Sequence, residues 1–192
     1  TTEIYTLSLH DALPILGILA SLAVTGAMAV AWTSLAHLTG FGSEETLYLQ
    51  ATGVTLNMRG LLLAGIIIGA AGVLDDVVLA QAVTAFELVA ANPALHFREL
   101  YQRSMKIGNA HLASMVNTLV LAYASAALPL LILFTLYQEP WYLTINRELI
   151  AEEIVRTLVG SLGLMLAVPL TSAIASWAAP KLAGKESDPI EA

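Results

Sequence analysis

The sequence contains no cysteine and little charge. Without cysteine, disulfides, thiolate catalysis and cysteine metal sites are excluded. Charged residues make up 12% of the chain, against roughly a quarter in soluble domains, whereas 57% of the residues are hydrophobic and the mean hydropathy is +0.76. Apolar and polar residues do not alternate as in a membrane β-barrel. We therefore predict an all-α, polytopic membrane protein whose helices satisfy their own backbone hydrogen bonds.

Four apolar segments are long enough to cross a bilayer, which requires about 20 residues per helix. We place these spans at about residues 15–36, 60–91, 112–137 and 154–179. Together they form a predicted transmembrane domain over residues 15–180. Residues 1–14 differ in character from the rest of the chain and are predicted to be non-native or disordered, and residues 181–192 are predicted to be a disordered polar tail.

The loops differ in their basic residues. Arg98, Arg103 and Lys106 lie in the 92–111 loop, and Lys181 and Lys185 lie near the C-terminus. The positive-inside rule then places this loop and the C-terminus in the cytoplasm. Phe97, Leu100, Tyr101 and Ser104 share one helical face of the 92–111 loop, so we also predict an amphipathic helix at the cytoplasmic membrane surface.

The feature that points most directly to function is the acidic pair Asp75–Asp76 at the middle of the second span. An ionised aspartate at this depth costs about 2.5–3.5 kcal/mol on insertion scales. Desolvation and mutual repulsion both favour the protonated form, so at least one of the pair is expected to hold a proton at neutral pH. The pair is a candidate proton or ion relay; a structural cap or a cytoplasmic helix end is the alternative.

The neighbours of this pair follow helical spacing. Gly65, Gly69, Gly72 and Asp76 share one face, which continues to Glu87 three turns later. Small residues four apart permit close approach of another helix, so the three glycines are predicted helix-packing positions. Glu87 is a further relay candidate, with an ordinary interfacial role as the alternative.

The third span offers hydrogen-bond donors. Asn117 and Thr118 could donate to a carboxylate, although hydrogen bonding between helices is an equally simple use for them. No basic residue lies in the middle of any predicted span. A proton, a bound monovalent cation or hydrogen bonds must therefore compensate the charge of Asp75–Asp76.

Other functions find little support in the sequence. No phosphate-binding loop, nucleophile elbow or metalloprotease motif occurs, and the four histidines do not cluster, so no enzyme activity, cofactor or metal site is predicted. The net charge of −7 and the pI near 4.9 argue against a nucleic-acid partner.

Two segments carry a family resemblance: GVLDDV in the second span and HLASMVNTLVLAYASAALPL in the third. With their surroundings they resemble the YibE/YibF-like family of bacterial multi-pass membrane proteins. The resemblance implies a location in the bacterial inner membrane and a longer protein with further spans upstream. It implies no particular activity.

A second resemblance concerns the second span alone. A glycine-rich helix that carries Asp75–Asp76 and runs on to an acidic residue is similar to the proton-relay helix of RND-type transporters and SecDF. This resemblance implies that the pair occupies relay positions, although the sequence lacks the intramembrane lysine or second acidic site that some such systems use. We therefore hypothesise proton- or cation-coupled transport, or energisation of transport. The alternative is a non-transporting scaffold or assembly subunit whose acidic pair and glycines bind a partner helix. That helix would come from missing upstream sequence or from another subunit.

Overall fold

The structure is a computed structural model that describes residues 9–53, 55–137 and 140–186. These residues form six α-helices and no strand, which confirms the predicted all-α class. The helices are α1 (Leu9–Leu35), α2 (Glu44–Ala51), α3 (Met58–Ala91), α4 (Phe97–Tyr137), α5 (Trp141–Ile145) and α6 (Glu148–Glu186).

Four of these helices are long and apolar enough to cross a membrane, as predicted. The qualifying segments are Leu13–Leu35, Met58–Ala91, Phe97–Leu136 and Glu148–Lys181. At 1.5 Å per residue α3 is ~51 Å long, which exceeds a hydrocarbon core of ~30 Å. Helix α3 must therefore tilt in the bilayer or extend beyond it.

The ends of the chain differ in part from the expectations. Helix α1 begins at Leu9, inside the segment predicted to be non-native or disordered, and residues 1–8 lie outside the described chain. Helix α6 continues to Glu186, so the first part of the predicted polar tail is helical. The remaining tail residues, 187–192, also lie outside the description.

The predicted amphipathic surface helix is not a separate element. Helix α4 runs without a break for 41 residues, and the amphipathic stretch forms its N-terminal turns. Leu100 and Ser104 on one face are fully buried. Three exposed basic residues lie away from that face: Arg98, Arg103 and Lys106. The two-faced pattern is therefore present, but the buried face packs against protein.

The chain divides into two compact units, and each of the four long helices contributes to both. Unit 1 comprises Thr1–Ala23, Ala71–Ser114 and Gly163–Ala192, and unit 2 comprises Val24–Ala70 and Met115–Leu162. In unit 1, an apolar cluster joins α3, the α3–α4 connection, α4 and α6. Its buried members are Val89, Leu95, Leu100 and Ala179.

The core of unit 2 joins α1, α3 and α6. Its buried members are Ala29, Leu38, Leu62, Ile66, Val155 and Val159. The connection after α1 turns sharply over this core, with Gly40 at a φ of +87°. A Cβ on Gly40 would lie 2.4 Å from the carbonyl oxygen of Met58, so glycine is required by both conformation and space.

The short helix α2 was not predicted from the sequence. Ser43 caps it by accepting a hydrogen bond from the backbone N–H of Thr46 at 3.4 Å, and acidic residues occupy its first turn. Hydrogen bonding to its own backbone N–H and to the Ser43 hydroxyl lowers the pKa of the Glu45 carboxyl below its ordinary value. The backbone N–H groups of Glu45 and Thr46 in the first turn of α2 therefore have hydrogen-bond acceptors.

Candidate functional site

Asp75 and Asp76 lie at the middle of α3, and both side chains are exposed. The buried positions of the helix recur at helical spacing: Ile66, Ala70, Leu74, Val77, Gln81 and Ala85. Because this face packs inside the protein, the aspartates are left on the opposite, uncovered face. No other part of the described chain covers that face at the aspartates.

Neither aspartate has a partner in the described part of the chain. No hydrogen bond or ion pair there reaches either carboxylate, and no group of three or more acidic or histidine side chains converges to hold a metal ion. The full acceptor capacity of both carboxylates therefore remains available.

The glycine face beside the pair is open. A Cβ built on Gly69 or Gly72 would meet no atom within 4 Å, and one on Gly65 would lie 3.5 Å from a guanidinium nitrogen of Arg156. The close helix approach expected at Gly69 and Gly72 is thus absent from the described chain. Their role as helix-packing positions stays a prediction that requires a helix from elsewhere.

The remaining predicted relay residues are exposed as well. Glu87 lies on α3 in unit 1, on the side that the buried positions avoid. Asn117 and Thr118 lie on α4 in unit 2, whereas the aspartates belong to unit 1. Hydrogen bonding of Asn117 and Thr118 to the pair therefore stays a prediction.

The structure reveals a buried polar cluster in unit 1 that the sequence did not single out. The Gln81 amide, 3% exposed, donates from Nε2 to the Ser104 carbonyl at 2.8 Å and to the Ser172 hydroxyl at 2.7 Å. Ser172 in turn donates to the Val168 carbonyl at 2.7 Å. The cluster links α3, α4 and α6 a little more than one turn beyond Asp76.

The absence of a side chain at Gly108 leaves room for this cluster. A Cβ on Gly108 would lie 2.5 Å from the amide oxygen of Gln81 and 2.7 Å from a methyl group of Val168. Among the described residues, three fully buried hydroxyls nearby in sequence have no hydrogen-bond partner: Ser104, Thr171 and Ser176. A glutamine within an apolar segment was the available sequence signal for this cluster, because a buried amide in a membrane helix requires partners from other helices.

Unit 2 holds a second set of carboxylates at the start of α6. One carboxylate oxygen of Glu148 accepts hydrogen bonds from the Gly40 backbone N–H at 2.8 Å and the Thr39 hydroxyl at 2.7 Å. Glu152, only 6% exposed, accepts from the Gly42 backbone N–H at 3.1 Å. These acids tie the α1–α2 connection to α6. They were missed because the fourth span was predicted to begin after them.

Four apolar helices, with an acidic pair inside one of them, define the chain as a multi-helix membrane protein. A family model described as YibE/F-like protein matches residues 4–181. The chain therefore belongs to the YibE/F-like family, as the resemblance of the GVLDDV segment and its surroundings implied. The match includes most of the segment that was predicted to be non-native. Searches of curated proteins and of solved structures found no match.

Proposed function

We propose that this YibE/F-like protein is a proton- or cation-coupled transport protein, or a component that energises transport, with Asp75–Asp76 as its ion-carrying pair. The observation that supports the proposal is the placement of two unpartnered, exposed carboxylates at the middle of a membrane-crossing helix. The proposal requires no catalytic chemistry and no cofactor.

The physical reason is the free-energy cost of holding two ionised carboxylates inside a membrane. An ionised carboxylate facing the hydrocarbon core costs about 2.5–3.5 kcal/mol or more, and two adjacent ones also repel each other. Binding a proton or a monovalent cation removes part of this cost. A group whose cost depends on occupancy can load an ion on one side of the membrane and release it on the other.

The other predicted residues take supporting roles in this proposal. Asn117 and Thr118 would donate hydrogen bonds to the pair during part of the cycle, when the ion has left. Glu87, three turns along α3, would provide a second acceptor between the pair and the end of the helix.

Flux in liposomes tests the proposal. The full-length protein should take up protons or a monovalent cation along an imposed gradient, and an Asp75→Asn/Asp76→Asn double variant should lower this flux to the level of empty liposomes. Glu99→Gln, which removes one negative charge at an exposed position of α4, should leave the flux within about twofold. Normal coupled flux by the double variant would sink the proposal.

A second function has specific support. Two surfaces are open to partner helices. One is the face of α3 at Gly69 and Gly72, and the other is the most apolar stretch of α4, in which no residue is buried. A scaffold or assembly subunit would use these surfaces without transport. Under this alternative, Gly69→Leu should abolish capture of a stoichiometric membrane partner, Gly53→Leu in the α2–α3 connection should not, and reconstituted protein should show no flux. Capture that is insensitive to Gly69→Leu would argue against it.

The proposed location is the bacterial inner membrane, with the α3–α4 connection and the C-terminus in the cytoplasm. The exposed Arg98, Arg103 and Lys106 at the start of α4 support this orientation. Because the chain has no cysteine, single cysteines can report it directly. A cysteine at Gln102 should be protected from an impermeant thiol reagent in intact cells, and one at Asn146 should be labelled. The reverse pattern would invert the topology.

A further inference from the structure

A cavity with both apolar and polar lining lies in unit 2 between the α1–α2 connection and helices α2, α3 and α6. Its volume is about 330 Å³, at the lower end of the ~300–1,000 Å³ typical of small-molecule sites. The polar side chains that line it are Ser43, Thr46, Glu152, Glu153 and Arg156. None of them belongs to the proposed ion-carrying pair.

Glu152 is the most buried of the polar residues that line this cavity. The side chain is only 6% exposed, lines the cavity and holds just one hydrogen bond, which its Oε1 accepts from the backbone N–H of Gly42. No other hydrogen bond from a described residue reaches this carboxylate. A buried carboxylate has about four acceptor positions, so most of the capacity of Glu152 is unused.

One hydroxyl donor and the one cationic side chain around the cavity interact with neighbouring groups. The Thr46 hydroxyl donates its hydrogen to the Ser43 carbonyl at 2.7 Å. The Thr46 oxygen can therefore act only as an acceptor toward a bound ligand. Arg156 donates from Nε to Glu153 at 3.2 Å, so these two opposite charges offset each other. The remaining formal charge is the single negative charge of Glu152. The lining side chains thus offer free acceptor positions on Glu152, beside unused N–H donors of Arg156, and carry one unbalanced negative charge.

The charge and hydrogen-bonding capacity of the lining indicate which class of ligand the cavity could bind. The net negative charge of the lining and the unused acceptor positions of Glu152 favour a ligand with a single positive charge. A divalent ion is disfavoured, because no group of three or more acidic or histidine side chains in the described residues could hold a metal ion. We infer that the cavity binds a small monovalent cation, with Glu152 as the counter-charge and the hydroxyl oxygens of Ser43 and Thr46 as further acceptors.

The inference goes beyond the proposed transport function, because it concerns different residues and requires binding alone. Its test is the thermal unfolding midpoint of the purified full-length protein in detergent. Sodium, potassium or methylammonium chloride would replace N-methylglucamine chloride at constant ionic strength. A ligand that binds only the folded state raises the midpoint in a saturable way. At least one of the three cations should do so, and comparing them distinguishes an alkali ion from an ammonium group.

Glu152→Gln is the decisive variant. The glutamine amide oxygen can still accept from Gly42, so the fold is retained while the charge is lost. The concentration of cation for half-maximal stabilisation should rise at least about tenfold. Glu99→Gln, which removes one negative charge elsewhere, should retain the wild-type response. The same rise on Glu152→Gln, measured in the Asp75→Asn/Asp76→Asn background, separates this site from the proposed ion-carrying pair.

Two results would overturn the inference. One is a wild-type midpoint that responds equally to all four cations, and the other is an unchanged response in Glu152→Gln. Should Glu152→Gln fail to fold, Thr46→Val decides instead, because it removes one acceptor of the cavity and should weaken the cation response severalfold. An unchanged response in Thr46→Val would then reject the site.

Discussion

The two units hold their carboxylates in contrasting ways. In unit 2, Glu148 accepts hydrogen bonds from the α1–α2 connection and Glu153 pairs with Arg156. In unit 1, Asp75 and Asp76 have no partner in the described chain. Both sets lie on candidate membrane-spanning helices, but Asp75–Asp76 lie at the middle of α3, whereas the unit 2 acids lie at the start of α6. Their hydrogen bonding differs as well: Glu148 and Glu153 are held by partners, whereas the two aspartates keep their full acceptor capacity for an ion, and Glu152, with a single hydrogen bond, lies between these extremes.

The largest effect that tests this contrast is expected at Gly40, whose backbone N–H donates to Glu148. Gly40→Ala should lower the free energy of unfolding by about 3 kcal/mol or more, because the φ of +87° disfavours alanine and its Cβ would meet the Met58 carbonyl at 2.4 Å. Denaturant titration in mixed micelles would measure the change.

Gly53 provides the matched control for that measurement. It also has a positive φ, +76°, but a Cβ there would meet nothing within 4 Å. Gly53→Ala should therefore cost only about 1 kcal/mol, the strain of the backbone alone. Equal costs at the two positions would mean that the contact between the α1–α2 connection and α3 is not as tight as described.

A somewhat smaller effect is expected within unit 1, where the buried Gln81 cluster contrasts with the open face of α3. Gly108→Ala should cost about 2 kcal/mol, because its Cβ would lie 2.5 Å from the Gln81 amide oxygen and 2.7 Å from Val168. Gly72→Ala, with open space around it, should change stability by less than about 0.5 kcal/mol or raise it. The same unfolding titration applies, and a reversed order would contradict the packing of α4 against α3 and α6.

The smallest effect compares the two kinds of carboxylate directly. Glu148→Gln should lower the free energy of unfolding by about 1.5 kcal/mol, since its charge-assisted hydrogen bonds to Gly40 and Thr39 become neutral ones. Asp75→Asn should leave stability unchanged or increase it, because no described hydrogen bond is lost. Unfolding should be measured for both variants under identical conditions. A larger loss for Asp75→Asn would show that the pair is structural.

The sequence was most informative where physical chemistry acts locally. Sustained hydropathy was sufficient to predict four membrane-crossing helices, and the cost of charge in lipid was sufficient to single out Asp75–Asp76. Of the face predicted around residue 100, Leu100 and Ser104 are buried, whereas Phe97 is exposed. The periodicity could not show whether that face packs against protein or lies on lipid, because both environments favour the same pattern.

The sequence was less informative where contacts join distant residues. The eight-residue helix α2 has no buried residue, so no apolar periodicity marked it. Glu152 was overlooked because the charges around it suggested a loop; its hydrogen-bond partner Gly42 is 110 residues away in the chain. Gln81 likewise gained its significance from Ser104 and Ser172, which the sequence alone could not place beside it.

The most direct test of the central claim, that Asp75–Asp76 bind an exchangeable ion, is infrared difference spectroscopy of the full-length protein in liposomes. Spectra would be recorded between buffers at about pH 8 and pH 6, and between sodium and N-methylglucamine buffers, conditions that span the range in which desolvated carboxyls exchange protons. We predict a carboxyl signal in at least one of these difference spectra that is lost in the Asp75→Asn/Asp76→Asn variant and retained in Glu99→Gln. Identical spectra for the wild type and the double variant would contradict the account and favour the scaffold function.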